Sequence, residues 1–289
     1  MTRRATLAVA STAAAVVAAT SPSSIAGQEA AAGFDWENAT ELSYISTGGN
    51  ASSSTLGLKS TLTGTGDPNI FKVELGGIRA ESQRTIRTAT GTPTDFTITE
   101  TTTTEVTAES YVARGRYDRR LDGAFGFAGA GWERNTFAGV ANRFSIVAGL
   151  GRTWLDGETA RLKTDLGGTY TVQKDVEPEP GADDAFGGLR LTVEARRTIT
   201  ESATLASDLI VDENLMSTGD LRGDWVNSLV VTISEGLALK TSLQVLFDNE
   251  PAFRRVPLVD GTGEPSGDTV LSVGEKVDRV FTFTMVIRL

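Results

Sequence analysis

The chain has 289 residues, of which 39% are hydrophobic and 22% charged, which is typical of folded rather than disordered proteins. Its formal net charge of −10 argues against nucleic acid as a partner. It contains no cysteine and no histidine, which excludes Ser-His-Asp and Cys-His catalytic arrangements and any histidine-ligated metal site.

The N-terminus predicts a secretory signal peptide over residues 1–26. Arg3 and Arg4 form a short basic region, residues 5–20 form an apolar run, and residues 24–26 include the small side chains that signal peptidase reads. The run is shorter than the roughly 20 apolar residues of a membrane span, so an uncleaved anchor is the weaker alternative. We expect the Sec route rather than the twin-arginine route, because a barrel must cross the inner membrane unfolded.

After the signal peptide we expect a short N-terminal periplasmic tail at 27–35 and one domain at 36–289. Apolar and polar residues alternate with period two along this domain, which is the signature of β-strands with two unlike faces. The pattern is clearest near the C-terminus, where Phe281 and Phe283 share one face and Thr282 lies on the other. The alternating segments are about ten residues long, the length of a tilted strand that crosses a membrane.

The connections between these segments alternate in length. Short turns are predicted at Gly64–Asn69, Arg119–Gly123, Leu155–Glu158, Thr200–Ala203 and Ser234–Gly236. The intervening connections are mostly longer, and they are predicted at Glu81–Glu105, Phe137–Asn142, Gln173–Ala185, Glu213–Leu221 and Asn249–Asp268. A soluble sandwich has no reason to sort its loops in this way. The pattern therefore predicts an all-β, antiparallel, up-and-down transmembrane β-barrel of about 12 strands, with both termini in the periplasm.

Three short blocks occur in the order in which they occur in a known family. They are Glu41–Tyr44 with Thr47–Asn50 and Ser54–Leu58; Phe125–Phe127 with Trp132–Asn135, Phe137–Gly139 and Ala148–Gly151; and Leu237–Lys240 with Asp248–Pro251 and Lys276–Asp278. Together they resemble the domain-of-unknown-function family 481, whose members are called salt-induced outer membrane proteins. The resemblance implies a location in the cell outer membrane, in contact with its lipid and lipopolysaccharide, and a link to salt or osmotic stress. It implies no activity and no catalytic residues.

The charged faces of the predicted strands should line the lumen, because an Arg or Lys facing lipid at the midplane costs about 2–4 kcal/mol. The predicted lumen-lining residues are Lys59, Lys72, Glu74, Arg114, Arg116, Asp118, Lys163, Asp165, Arg190, Glu194, Arg196, Asp208, Asp212, Lys240, Asp248 and Arg288. A barrel of this size falls between small barrels filled by side chains and larger barrels that hold a water channel. The sequence therefore leaves open whether the lumen is a narrow pore or a salt-bridged plug.

Carboxylates cluster in one predicted loop, at Glu177, Glu179, Asp183 and Asp184. Oxygen ligands suit Ca²⁺ or Mg²⁺, but the spacing matches no calcium-binding loop, so we interpret the cluster as a solvated acidic loop. We predict no cofactor, no metal site and no catalytic residue.

The sequence supports three hypotheses for function. The first is a narrow channel for small ions or solutes, linked to salt or osmotic stress. The second is a non-conducting structural barrel whose long outer loops bind a partner or lipopolysaccharide. The third, an enzyme acting through paired carboxylates, rests only on the abundance of Asp and Glu. We therefore expect that the protein is not an enzyme.

Overall fold

The computed structural model describes residues 33–47, 51–92, 95–136, 138–178, 184–259 and 264–288. The predicted signal peptide at 1–26 lies outside the described residues, as does most of the predicted tail at 27–35. No helix in the described part of the chain is long and apolar enough to cross a membrane.

The described residues form antiparallel β-strands joined by turns and loops. The strands are β1 (Asp35–Thr47), β2 (Ala51–Thr65), β3 (Asn69–Thr92), β4 (Asp95–Leu121), β5 (Ala124–Asn135), β6 (Val140–Asp156), β7 (Ala160–Asp175), β8 (Ala185–Thr200), β9 (Ala203–Asn214), β10 (Leu221–Ser234), β11 (Leu237–Asp248), β12 (Phe253–Val259), β13 (Pro265–Val273) and β14 (Val277–Arg288). Twelve of them, β1 to β11 and β14, close into a barrel, while β12 and β13 form a separate two-stranded sheet. The prediction of a barrel of about twelve strands is confirmed.

Each barrel strand pairs with its neighbours in sequence, and β14 pairs with β1 to close the ring, as in Leu42 opposite Met285. The short connections, at 66–68, 122–123, 157–159, 201–202 and 235–236, all lie at one end of the barrel, here called the turn end. Asp35 pairs with Thr65 and Ile287 with Leu237, so both chain termini of the barrel also lie at the turn end. The opposite end is here called the loop end.

The structure differs from the sequence prediction at Glu81–Glu105, where a loop was expected. Strands β3 and β4 instead run on to Thr92 and from Asp95, and form a long exposed hairpin beyond the barrel wall. The reason is composition, because this segment is rich in Thr, which favours extended backbone and pairs across strands. The hydroxyls of Thr85 and Thr102 lie 3.0 Å apart in one such pair.

The predicted long connection Asn249–Asp268 also contains regular structure. Strand β12 and the start of β13 fall inside it, and they pair through Arg254 opposite Ser272 and Val256 opposite Val270. The loop end of the barrel therefore carries two β-hairpins rather than two irregular loops.

Large apolar side chains cover the outside of the barrel. Residues such as Leu150, Phe281 and Phe283 are 65%, 67% and 57% exposed. Exposure of so much apolar area to water would be unfavourable, because burying it is worth about 25 cal/mol per Å². These residues alternate along each strand with inward polar residues, and the ring is closed where 39–42 of β1 pair with 285–288 of β14. An apolar outside on a closed ring is the arrangement of a transmembrane barrel.

Aromatic rings line part of the outside near the turn end. Phe34 lies 6.0 Å from Trp36 and 5.4 Å from Phe71, whose ring lies 4.9 Å from that of Tyr117, measured between ring centroids. Such belts mark the depth of a membrane–water interface, because an aromatic ring with a polar atom is stable in both environments.

Candidate functional site: the barrel lumen

The inward faces of the strands enclose a cavity of about 510 Å³. Of the predicted lumen-lining residues, those that line this cavity are Lys59, Lys72, Glu74, Arg114, Arg116, Arg190, Glu194, Asp208, Asp212, Lys240 and Asp248. Asp118, Lys163 and Asp165 lie in a buried cluster nearer the turn end, and Arg196 binds Asp208. The side chain of Arg288 lies outside the described residues.

A row of alternating charges runs around one side of the lumen, with one residue on each of five neighbouring strands. The Nζ of Lys59 on β2 lies 2.9 Å from a carboxylate oxygen of Glu74 on β3. Arg114 on β4 lies 3.9 Å from Glu74 and 3.6 Å from Glu133 on β5. Arg143 on β6 follows, 4.0 Å from Glu133. The last three distances are too long for hydrogen bonds, so neither arginine donates to these carboxylates.

On the other side of the lumen the ion pairs are closer. Arg190 and Arg196 on β8 each make two hydrogen bonds to a carboxylate on β9, at 2.7 and 2.9 Å to Asp212 and at 2.7 and 3.0 Å to Asp208. This fork geometry is the strongest form of the Arg–carboxylate interaction. Arg190 and Arg196 are therefore committed to partners within the wall.

A compact ionic cluster fills part of the lumen near the turn end. Arg116 donates to Asp118 at 2.6 Å and to Asp165 at 2.7 Å, and Lys163 donates to Asp118 at 2.6 Å. Two cations thus face two carboxylates, and the side chain of Asp165 is only 1% exposed. Pairing offsets the desolvation cost of burying these charges, because each has a partner of opposite sign.

Two phenylalanine rings of β5 lie inward beside these charges, and the next two strands of the ring, β6 and β7, have glycine at the positions nearest to the rings. A Cβ on Gly151 would lie 2.1 Å from the ring of Phe125, and a Cβ on Gly167 would lie 2.9 Å from the ring of Phe127. The two rings are 4% and 5% exposed. Glycine is required at these positions because the rings occupy the space that any side chain would need.

The basic side chains of the cluster also contact the rings. The Cζ of Arg116 lies 4.1 Å from the ring centroid of Phe127, and the Nζ of Lys163 lies 4.3 Å from that of Phe125, both within cation–π range. We call Arg116, Asp118, Phe125, Phe127, Lys163 and Asp165 the turn-end cluster.

Small inward residues on the opposite wall are also buried, namely Ala206, Ala238 and Val286. The lumen is therefore packed at the turn end.

A second polar arrangement spans the lumen near the loop end. The Oε1 of Gln173 accepts hydrogen bonds from Arg143 Nε and from Arg222 Nη1, both at 2.8 Å. Its Nε2 donates to Asp175 at 2.7 Å, which fixes the orientation of the amide. Arg222 is held further by two bonds to Asp220, at 2.7 and 2.5 Å. A neutral acceptor thus brings two guanidinium groups close together.

The segment that follows β11 reaches over to the opposite wall at the loop end. A Cβ on Gly139, between β5 and β6, would lie 2.6 Å from the Cβ of Ala252. Arg255 on β12 makes hydrogen bonds of 3.2 and 2.8 Å to Glu177, which lowers the pKa of that carboxyl. Glu177 belongs to the predicted acidic loop, of which 179–183 lie outside the described residues. This segment narrows the mouth of the cavity.

Several lumen residues were not in the sequence prediction. Arg143, Arg222, Asp224 and Asp278 line the cavity. Strand alternation alone would have found them. Each lies an even number of positions from a predicted inward residue on its strand, or an odd number of positions from an aromatic residue that points outward. Phe125 and Phe127 carried no such signal, since inward and lipid-facing aromatics look alike in sequence.

The inward face is not uniformly polar. Ile78, Val112, Val147, Ile210 and Val226 also line the cavity, between the charges of the two ends. Within the described residues no group of three or more Asp or Glu side chains is placed to hold a metal ion. The chemistry that the lumen offers is therefore ionic contact and hydrogen bonding beside aliphatic surface.

These features define a transmembrane β-barrel of the outer-membrane type with a charged and partly filled lumen. The chain belongs to the DUF481 family of proteins of unknown function, whose family model matches residues 40–260. The family predicted from the sequence is therefore confirmed. Among curated proteins no relative matches the sequence.

Several solved barrels are similar to the chain at low identity. An anion-selective porin from Comamonas acidovorans is 11% identical, with 89% of this chain and 99% of that chain covered and a TM-score of 0.38. An outer membrane channel from Pseudomonas putida F1 is 10% identical, with 89% and 96% covered and a TM-score of 0.41. The translocator domain of the autotransporter NalP from Neisseria meningitidis is 11% identical, with 89% and 88% covered and a TM-score of 0.35. Likeness at this level concerns the barrel fold alone.

Proposed function

We propose that the protein is a narrow outer-membrane channel for small polar or charged solutes, and that it acts on them by passage and not by chemical conversion. The observation that carries this proposal is the cavity of about 510 Å³, which is lined by charges of both signs and reaches the loop end. A charged interior lets polar solutes shed water at low cost, which suits passage.

The turn-end cluster gives the proposed channel a closure. Its two rings and four charged side chains occupy the lumen on β4, β5 and β7, and the facing wall is packed with small residues. The contacts are side chain to side chain, so they can separate without unfolding a strand. We therefore regard the structure as the closed form of the channel.

The same cluster favours a second candidate function, a non-conducting barrel. In that case the two hairpins at the loop end would be the working parts, binding a partner or lipopolysaccharide. The hairpin of β3 and β4 extends far beyond the barrel wall, with exposed residues on both strands. The two functions differ in whether solute crosses the barrel.

The location in the outer membrane and the link to salt or osmotic stress belong to this proposal. An apolar outside on a closed ring and the predicted signal peptide at 1–26 support the location. The resemblance to salt-induced outer membrane proteins supports the link to stress. Fractionation of cells grown in low and high salt tests both, because the proposal expects the protein in outer-membrane fractions and in larger amounts at high salt.

Swelling of proteoliposomes in uncharged sugars of increasing size tests passage itself. We expect the smallest polyols to enter and larger oligosaccharides to be excluded, because the cavity is narrow. Liposomes that contain folded protein and yet admit no solute above the rate of empty liposomes would support the non-conducting barrel instead.

A further inference from the structure

Four cavity-lining charges that have no hydrogen-bonded partner of opposite sign among the described residues lie on opposite sides of the ring. In the ring of twelve strands β6 lies diametrically opposite β14, and β4 lies diametrically opposite β10. The first pair of strands carries Arg143 and Asp278, and the second carries Arg114 and Asp224, and all four residues line the cavity. Two couples of unlike charge therefore lie on opposite strands of the ring.

The two arginines of these couples keep free donors. Arg114 makes no hydrogen bond to any described residue, since its nearest carboxylate oxygens lie 3.6 and 3.9 Å away on Glu133 and Glu74. Arg143 uses only Nε, which donates to the neutral Gln173, and its terminal nitrogens lie no closer than 4.0 Å to Glu133. A guanidinium has five N–H donors, so both side chains can bind an anionic group of a solute in the fork geometry.

The two carboxylates of these couples keep free acceptors. Among the described side chains no basic group lies within ion-pair distance of Asp278 or Asp224. Asp224 accepts one hydrogen bond, from the Nε2 of Gln244 at 2.7 Å, and Asp278 accepts none from the described residues. Their remaining oxygens are open to a cationic group of a solute.

We infer that the lumen binds a small zwitterion, a molecule that carries a carboxylate and an ammonium group separated by a short apolar body. The carboxylate would lie on Arg143 and Arg114, the ammonium on Asp278 and Asp224, and the apolar body along Val112, Val147 and Val226 between them. The volume of about 510 Å³ falls in the usual range for small-molecule pockets. This inference rests on the proposed function, in that it names the class of solute that the channel takes.

A purely anionic or purely cationic solute fits the lumen less well. An anion would gain the arginines but would also meet the opposed carboxylates, and a cation would meet the reverse. A solute that carries both charges pairs with both walls, whereas a solute with one charge leaves one wall unpaired.

Three probes of matched shape test the inference. They are 5-aminopentanoate, which carries both charges, pentanoate, which carries only the carboxylate, and pentylamine, which carries only the ammonium. Isothermal titration of the full-length protein in detergent micelles should show that the zwitterion binds at least about tenfold more tightly than either single-charge probe, because each of those leaves one wall unpaired.

Variants of one couple show which wall binds which charge. Arg143→Gln and Asp278→Asn should each weaken binding of 5-aminopentanoate by about tenfold, to the level of the single-charge probes. Arg143→Lys should retain much of the binding, which separates loss of charge from loss of fold. Arg79→Gln is the matched control, because Arg79 pairs with Glu81 and does not line the cavity.

The result that would overturn the inference is equal binding of 5-aminopentanoate and pentanoate, or no binding of any probe by folded protein. Sugar entry in the swelling assay is a separate readout. Protein that admits sugars but shows no preference for the zwitterion retains the proposed function and loses this inference, whereas protein that admits no solute loses the proposed function.

Discussion

The Nη2 of Arg116 donates a hydrogen bond of 2.7 Å to the Oδ2 of Asp165, across a part of the lumen where the carboxylate is almost fully enclosed. The other oxygen of Asp165 has no hydrogen-bond partner among the described residues. Asp165 is therefore held by a single close contact. Its removal would leave Arg116 and Lys163 facing Asp118 alone.

Asp165→Asn should accordingly destabilise the barrel by about 1.5–3 kcal/mol, the usual worth of a hydrogen bond between charged groups, because Arg116 loses one of its two carboxylate partners. The measurement is the free energy of unfolding in lipid vesicles by urea titration. Asp156→Asn is the control, because Asp156 is 74% exposed and lies 3.6 Å from Arg161, so its loss should change stability by less than about 1 kcal/mol. Equal effects of the two substitutions would show that the turn-end cluster is not a stabilising unit.

Gly151→Ala should displace the ring of Phe125, because the added Cβ would lie 2.1 Å from the ring and 2.7 Å from the Cβ of Asp165. Overpacking of this kind costs about 1–3 kcal/mol. A lowered midpoint of thermal unfolding measures the effect. Gly168→Ala, on β7, adds the same methyl where nothing lies within 4 Å, and it should leave the midpoint unchanged. A normal midpoint for Gly151→Ala would contradict the inward placement of Phe125.

Shortening the hairpin of β3 and β4 should leave the barrel folded. Residues 86–92 and 95–101 pair only with each other, so replacing 86–101 by Asn-Gly joins the register partners Thr85 and Thr102 through a two-residue turn. The shift in gel mobility between heated and unheated samples should still report a folded barrel, and solute entry should persist. Loss of a surface-binding phenotype with entry intact would assign that binding to the hairpin.

The contact between Arg255 and Glu177 should depend on pH. Hydrogen bonding to Arg255 lowers the pKa of Glu177 below its ordinary value of 4.5. The contact is therefore at full strength above pH 4.5 and weakens as the pH falls through the lowered pKa, because protonation removes the charge that Arg255 binds. Spin labels on introduced cysteines at Val176 and Val256 measure the separation, and the chain has no cysteine of its own to interfere.

Arg255→Gln is the control for that titration. Without the guanidinium the two segments should be farther apart at neutral pH, with no further change on acidification. A label separation in the unmodified protein that stays constant down to pH 3 would show that other contacts, such as that of Gly139 with Ala252, hold the segment in place.

Much of the fold could be predicted from sequence because two physical constraints act on every strand. Lipid outside and water or charge inside impose period-two alternation, so residues such as Phe281 and Thr282 report their faces directly. The alternation of short and long connections predicted that the sheet closes into a barrel and that both termini lie at the end with the short turns. The extent of β3 and β4 was missed because their outer halves face solvent on both sides, so no alternation marks Thr85 or Thr102 as strand residues.

The interior could be predicted only in part. Charges at positions such as Arg190 and Asp212 follow from strand parity, but their partners depend on register, which a sequence does not give. The placement of Phe127 depends on the absence of a side chain at Gly167, two strands away in the ring. Side chains on non-neighbouring strands thus decide whether a lumen of this size is filled by protein.

Single-channel recording in planar lipid bilayers tests most directly whether the lumen is a channel closed by the turn-end cluster. We predict small unitary steps for the unmodified protein and larger or more frequent steps for Phe127→Ala, which removes a ring from the lumen. Phe283→Ala removes the same ring from the lipid-facing surface and should conduct like the unmodified protein. If folded protein and folded Phe127→Ala both give no unitary steps at low and high salt, the barrel is not a channel.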